Sequence, residues 1–135
     1  MNYNDRVTKD YVEGLLAGCG NCKIHTGSYV GTGTYGVNNP NTLTLPFEPK
    51  AIFFLSYNHS NTVSRLPIFA IFLSGMDQST SIESYDDSSS SINGPCCYII
   101  HNVAWAGSSV SWYSKINALA QLNSSNVTYH YVAIG

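Results

Sequence analysis

Two apolar runs constrain this chain more than anything else in it. Ala51-Ile52-Phe53-Phe54-Leu55-Ser56-Tyr57 and Leu66-Pro67-Ile68-Phe69-Ala70-Ile71-Phe72-Leu73 are apolar at both odd and even positions. Periodicity alone would allow a buried helix. The β-branched and aromatic content and the flanking turn residues, such as Glu48-Pro49-Lys50, favour strand instead. A strand that is apolar on both faces belongs at the centre of a sandwich, and Pro67 is tolerated because it stands among the first positions of its run.

The remaining strands follow by alternation. Ile24 to Tyr29 alternates, and Thr42-Leu43-Thr44-Leu45-Pro46-Phe47 puts Leu43, Leu45 and Phe47 on one face. Tyr98 to Ala104, Ser109 to Ser114 and the terminal Val127 to Ile134 read the same way. A short strand fits Thr80 to Tyr85 inside a Ser/Asp-rich stretch, 75–97, that otherwise reads as a long exposed loop, and such loops are usually functional or mobile. Asn117 to Leu122 is open between a helical turn and a strand. Residues 1–18 differ: five of the chain's 14 charges fall there, and Val7, Tyr11 and Leu15 recur at helical spacing with Val12 and Leu16 beside them. Asn4 or Asp5 can cap this helix and Gly18 can end it. A helix this short needs a partner, either its own domain or copies of itself in a trimeric stalk. The expectation is an all-β fold: an antiparallel β-sandwich of about eight strands over 19–135, preceded by a short N-terminal helix or stalk stub over 1–18.

Composition excludes several classes of function. Six Lys+Arg against eight Asp+Glu give a net charge of −2, which is no footprint for phosphate contacts, so nucleic acid is not expected as a partner. Charged residues are 10% of the chain against a norm of about 25%. In their place stand 40 Ser, Asn and Thr and 17 aromatics, ten of them Tyr. A hydrophobic content of 44% is too high for a disordered tail. No apolar run has the length of a membrane span, so no membrane insertion is expected, and the N-terminus lacks the pattern of a signal peptide.

Candidate chemistry is sparse. Gly31-Thr32-Gly33-Thr34-Tyr35-Gly36 matches the dinucleotide fingerprint letter for letter, but Val37-Asn38-Asn39-Pro40-Asn41 follows and cannot open the helix that would hold a pyrophosphate. The glycines read as a hairpin or a bulge. Cys19-Gly20-Asn21-Cys22 and the adjacent Cys96-Cys97 could together bind Zn²⁺ or pair by oxidation, yet vicinal cysteines in a strand point to opposite faces. Free thiols, no metal and no cofactor are the expectation. The histidines at 25, 59, 101 and 130 are scattered, with His130 the one candidate for an axial three-His site in a trimer. No nucleophile-base motif stands out. A carboxylate pair such as Asp77 and Glu83 would sit on a poor scaffold for glycoside hydrolysis, so no enzyme is expected. Sequons at Asn58, Asn123 and Asn126 matter only in a secreted chain.

What remains is aromatic rings beside neutral polar loops. Trp105, Trp112, Tyr85, Tyr98, Tyr113, Tyr129 and Tyr131 offer rigid faces on which the C–H side of a sugar can stack, while Asn, Ser and Asp supply hydrogen bonds. The candidate ligand-binding residues are Asp77, Tyr85, Asp86, Asp87, Trp105 and Trp112, with loops 58–64 and 75–95 as the contacting segments.

Three segments carry a family resemblance: Thr26 to Gly36 (TGSYVGTGTYG), Leu43 to Ile52 (LTLPFEPKAI) and Ala120 to Gly135 (AQLNSSNVTYHYVAIG). They resemble the C-terminal domains of tail fibre and receptor-binding proteins of bacteriophages and prophages of gut Firmicutes. The order of the FEPKAI strand and the terminal YHYVAIG is also similar to the H-type lectin pattern, and the resemblance spans about residues 24–135. It implies a homotrimer, a place at the tail fibre tip of a virion, and adhesion to host cell-surface carbohydrate. A tail fibre or baseplate cap that only trimerises is the rival reading.

Overall fold

The computed structural model describes residues 8–19, 22–56, 65–85 and 96–135. One helix, α1 (Lys9–Cys19), precedes nine strands: β1 (Ile24–Val30), β2 (Asn41–Thr44), β3 (Ala51–Ser56), β4 (Arg65–Leu73), β5 (Ser79–Tyr85), β6 (Cys96–Ile100), β7 (Asn102–Ala106), β8 (Ser109–Tyr113) and β9 (Thr128–Ile134). They form a six-stranded sheet in the order β1-β9-β3-β4-β5-β6 and a three-stranded sheet in the order β2-β8-β7. Every pairing is antiparallel. The fold is therefore mostly β with one short helix.

The two apolar runs lie side by side as β3 and β4 near the middle of the larger sheet. β4 carries a register shift between Arg65 and Ile68. That irregularity spans Pro67, which has no N–H to give the ladder, so the strand accommodates proline where the pairing is already broken. Ile52, Phe54, Ile68, Ala70, Phe72, Tyr129 and Ala133 point to one side and are nearly fully buried. Opposite them stand Val103, Val110 and Trp112 of the smaller sheet. The Trp112 ring lies 5.2 Å from both Phe54 and Phe72, and Tyr29 stacks on Tyr129 at 5.3 Å. Both sheets thus share one aromatic-rich core.

Several elements differ from the sequence reading. The single strand expected over 98–104 is two, one in each sheet, and the chain crosses between them at His101. The strand expected around Thr80–Tyr85 is there, and it is the seven-residue β5 between β4 and β6 rather than part of a loop. Of the two readings of Gly31–Gly36, a hairpin or a bulge, the hairpin does not form, because β1 and β2 belong to different sheets. Asn117 to Leu122 folds as turns, with the Asn117 side chain accepting from Ala120 N–H at 2.8 Å. The helix is capped by Thr8, whose hydroxyl accepts from Tyr11 N–H at 3.2 Å; Asn4 and Asp5 lie outside the described residues. It runs through Gly18 instead of ending there.

The register gives the molecule two poles. Ala51 and Leu73 gather at one, where Lys23 and Gly135 exchange two 2.8 Å backbone hydrogen bonds beside the end of β9. This is the pole from which α1 departs. Val30, Thr128, Ser56, Arg65, Tyr85 and Cys96 mark the other, far pole.

Candidate functional site

The sequence-based candidates that fall among the described residues do not gather in one place. Asp77 and Trp105 do come together: Trp105 donates its indole N–H to the Met76 carbonyl at 2.9 Å, and Val103 N–H donates to the Asp77 carbonyl at 2.8 Å. This turn sits at the α1 pole. Tyr85 ends β5 at the far pole, whereas Asp86 and Asp87, like loop 58–64, lie outside the described residues. Trp112 requires a correction. Burial alternates along β8 so that Val110 and Trp112 face inward, and Trp112 is 1% exposed, with its indole N–H donated to the Gln121 carbonyl at 2.8 Å. It is core, not a surface platform. Asp77 and Glu83 stand toward different ends of β5: Asp77 is in the turn before it, and Glu83 pairs with Ile68 and Cys96 near its far end.

At the far pole the structure builds a cleft that sequence reasoning missed. It encloses about 250 Å³ between the Gly31–Pro40 loop and the start of β2, with Tyr29 and the edge of Trp112 at its floor. Asn123 organises it. This amide is 3% exposed, accepts from Thr32 N–H at 3.0 Å, and donates to Thr32 Oγ1 at 2.9 Å and to the Thr34 carbonyl at 2.8 Å. Two threonine hydroxyls are thereby held 2.9 Å apart on the exposed rim. A second buried amide, Gln121, binds the far end of the same loop. It accepts from Gly36 and Ser114 N–H groups, both at 2.9 Å, and donates to the Asn39 carbonyl at 2.7 Å and to Asn41 Oδ1 at 3.0 Å.

Those contacts explain the glycine hexapeptide without a nucleotide. Gly31 lies so close to the backbone of Asn123 and Ser124 that no Cβ fits. Gly33 has φ +82° and packs against Ser125, a conformation that L side chains rarely take. The only sequence signal for this cleft was its residue type: Thr, Asn and Tyr, neutral hydrogen-bonding groups beside a ring.

The Tyr29 ring reaches the cleft while its hydroxyl is buried, donating to the Leu122 carbonyl at 2.8 Å. Burial pushes this phenol well above the ordinary value of 10.0, neighbouring Tyr129 adds to the rise, and a hydrogen bond with Asn41 opposes it. With the folded value raised, this group's contribution to stability is complete below pH 10 and lost as pH rises through the folded value. Urea denaturation between pH 8 and 11 is expected to show wild type losing stability with pH more steeply than Tyr29→Phe. The variant itself costs about 1 kcal/mol at neutral pH through the lost hydrogen bond. Equal slopes would contradict the burial of this hydroxyl.

A third surface is the outer face of the six-stranded sheet. Phe53, Leu55, Phe69, Ile71, Leu73, Ile99 and Val132 point away from the core, and five of them are 37–48% exposed. Two shallow grooves of about 600 and 520 Å³ run along it. His130 stands exposed at the first, beside Val132. Cys22 is an exposed free thiol. Among the described residues no group of His, Cys, Asp and Glu is arranged to hold a metal ion, and no helix is long and apolar enough to cross a membrane. Comparison of the chain with protein-family models, with curated proteins and with solved structures finds no match.

Proposed function

We propose that the chain is a non-enzymatic receptor-binding tip of a phage tail fibre, a homotrimeric antiparallel β-sandwich that adheres to host cell-surface glycan. The observation that carries this reading is polarity along the strand direction of the larger sheet. The helical segment leaves from one pole, and at the opposite pole stands a neutral cleft whose two hydroxyls are fixed by a buried amide. Groups fixed before the ligand arrives lose little freedom on binding it. Neutral hydroxyls and amides beside a ring match the chemistry of an uncharged sugar. The described strands that flank segments 57–64 and 86–95 also end at this far pole.

Binding of the assembled protein to a glycan array and to whole host-type cells tests this. The Thr32→Val, Thr34→Val double variant is expected to lose at least about tenfold in affinity, the equivalent of one good hydrogen bond. Assembled wild type that retains no glycan and no cell would overturn the proposal. The structural cap is favoured by one observation, the apolar outer sheet face, which self-association explains without any ligand. A cap assembles, binds no glycan and is indifferent to the threonine variant.

A further inference from the structure

We infer that the outer face of the six-stranded sheet is the surface on which copies of this chain meet. The inference deepens the self-associating reading above and rests on it. An antiparallel sheet with one face on the core normally turns a polar face to water. Here the outer face is apolar over β9, β3 and β4, with Thr26, Ser28 and His130 beside that band. β9, β3 and β4 lie adjacent, and their registers place Val132 beside Phe53 and Phe53 beside Ile71, with Leu55 beside Phe69 and Ala51 beside Leu73. The result is a continuous apolar band across the middle of the sheet. No Lys, Arg, Asp or Glu stands among the outward positions of β1, β3 and β9.

The size of the face bears on what covers it. Six strands at about 4.8 Å spacing are about 24 Å across, and six residues of strand run about 20 Å, so the face is on the order of 500 Å² in projection. With side-chain relief added it approaches the roughly 800 Å² per partner of a stable interface. Helix α1 is too small to cover it: 11 residues make a rod about 16 Å long and about 10 Å wide, which shields about a third of the face. Two further copies around a three-fold axis bring surfaces of equal extent, and their apolar bands meet without like-charge repulsion. The four-residue β2 edge of the smaller sheet and the threonine-rimmed cleft are left free by this arrangement.

The test is the mass of the full chain in solution, by sedimentation and light scattering, for wild type, Phe69→Glu, Leu55→Glu and a control, Val37→Glu, at an exposed loop position outside the six-stranded sheet. Wild type and the control are expected at three times the chain mass, with both face variants at one, folded by circular dichroism. Wild type at twice the mass, still reduced to one by the face variants, upholds the face and overturns the trimer. A monomeric wild type overturns the inference. So does an oligomer that the face variants leave intact, or one abolished by removing residues 1–19 but not by the face variants, since α1 would then be the occupant. If the oligomer depends on this face but binds no glycan, the inference stands and the adhesin reading fails. If glycan binding persists while the face variants leave assembly unchanged, the reverse holds.

Discussion

Trp112→Ala is expected to bring the domain to the edge of unfolding. The indole is the largest fully buried side chain among the described residues, and from the smaller sheet it touches three rings of the larger one, Phe54, Phe72 and Tyr29. Truncating a buried tryptophan costs about 3–5 kcal/mol through lost transfer energy and the cavity left behind. The Gln121 carbonyl also loses its donor, adding about 1–3 kcal/mol unless water reaches it. Against a total stability of roughly 5–15 kcal/mol for a domain, that sum leaves little margin. Trp112→Phe keeps most of the ring contacts and gives up the N–H, so about 1–3 kcal/mol is expected. Guanidinium denaturation followed by circular dichroism measures both. A loss below about 1 kcal/mol for the alanine variant would mean that this ring is not where the two sheets meet.

Gln121→Ala is the second large effect, and its mechanism is different. No ring is lost; instead four hydrogen-bonding groups lose their partner at once. The Gly36 and Ser114 N–H groups, the Asn39 carbonyl and the Asn41 amide oxygen all converge on this one side chain. The bond to Ser114 is fully buried, so that donor has the poorest access to replacement water. A loss of about 3–5 kcal/mol is expected. Hydrogen exchange should localise the damage, with protection lost first at Gly36 and Asn39 and retained in β3 and β9. Gln121→Glu should be no better than alanine, since a carboxylate has no hydrogen to give the Asn39 carbonyl. Recovery of stability by glutamate would show that the donors of this amide are dispensable.

What the sequence revealed and what it hid divide along a physical line. β3, β4 and β9 are readable because each satisfies a local rule: apolar runs with β-branched and aromatic residues, or strict alternation. The inward face of the Leu43-Leu45-Phe47 segment was legible for the same reason. The function of Gln121 and Asn123 was not, because an amide in a run of small polar residues looks like surface. Its burial is created by partners 80 to 91 residues away, a separation no window of sequence covers. Trp112 misled for the converse reason. A tryptophan among serines resembles a binding platform, and only the alternation of β8 against the larger sheet turns it inward. The outer sheet face lay in plain view, since Phe53, Leu55, Phe69 and Ile71 occupy the odd positions of the two founding runs. Their even neighbours already fill the core, so the odd set had to face something else.

The Lys23–Gly135 backbone pair has a mechanical consequence. If the domain is held through α1 and loaded at its far pole, tension enters β1 at Lys23 and is directed along the strand. The β1–β9 ladder pairs seven residues from each strand, and under such a load those pairs slide past one another instead of opening one at a time. Rupture then requires all of the ladder to yield together. A pull applied across the strands, between Val30 and Thr128, would open the same ladder from its end at far lower force.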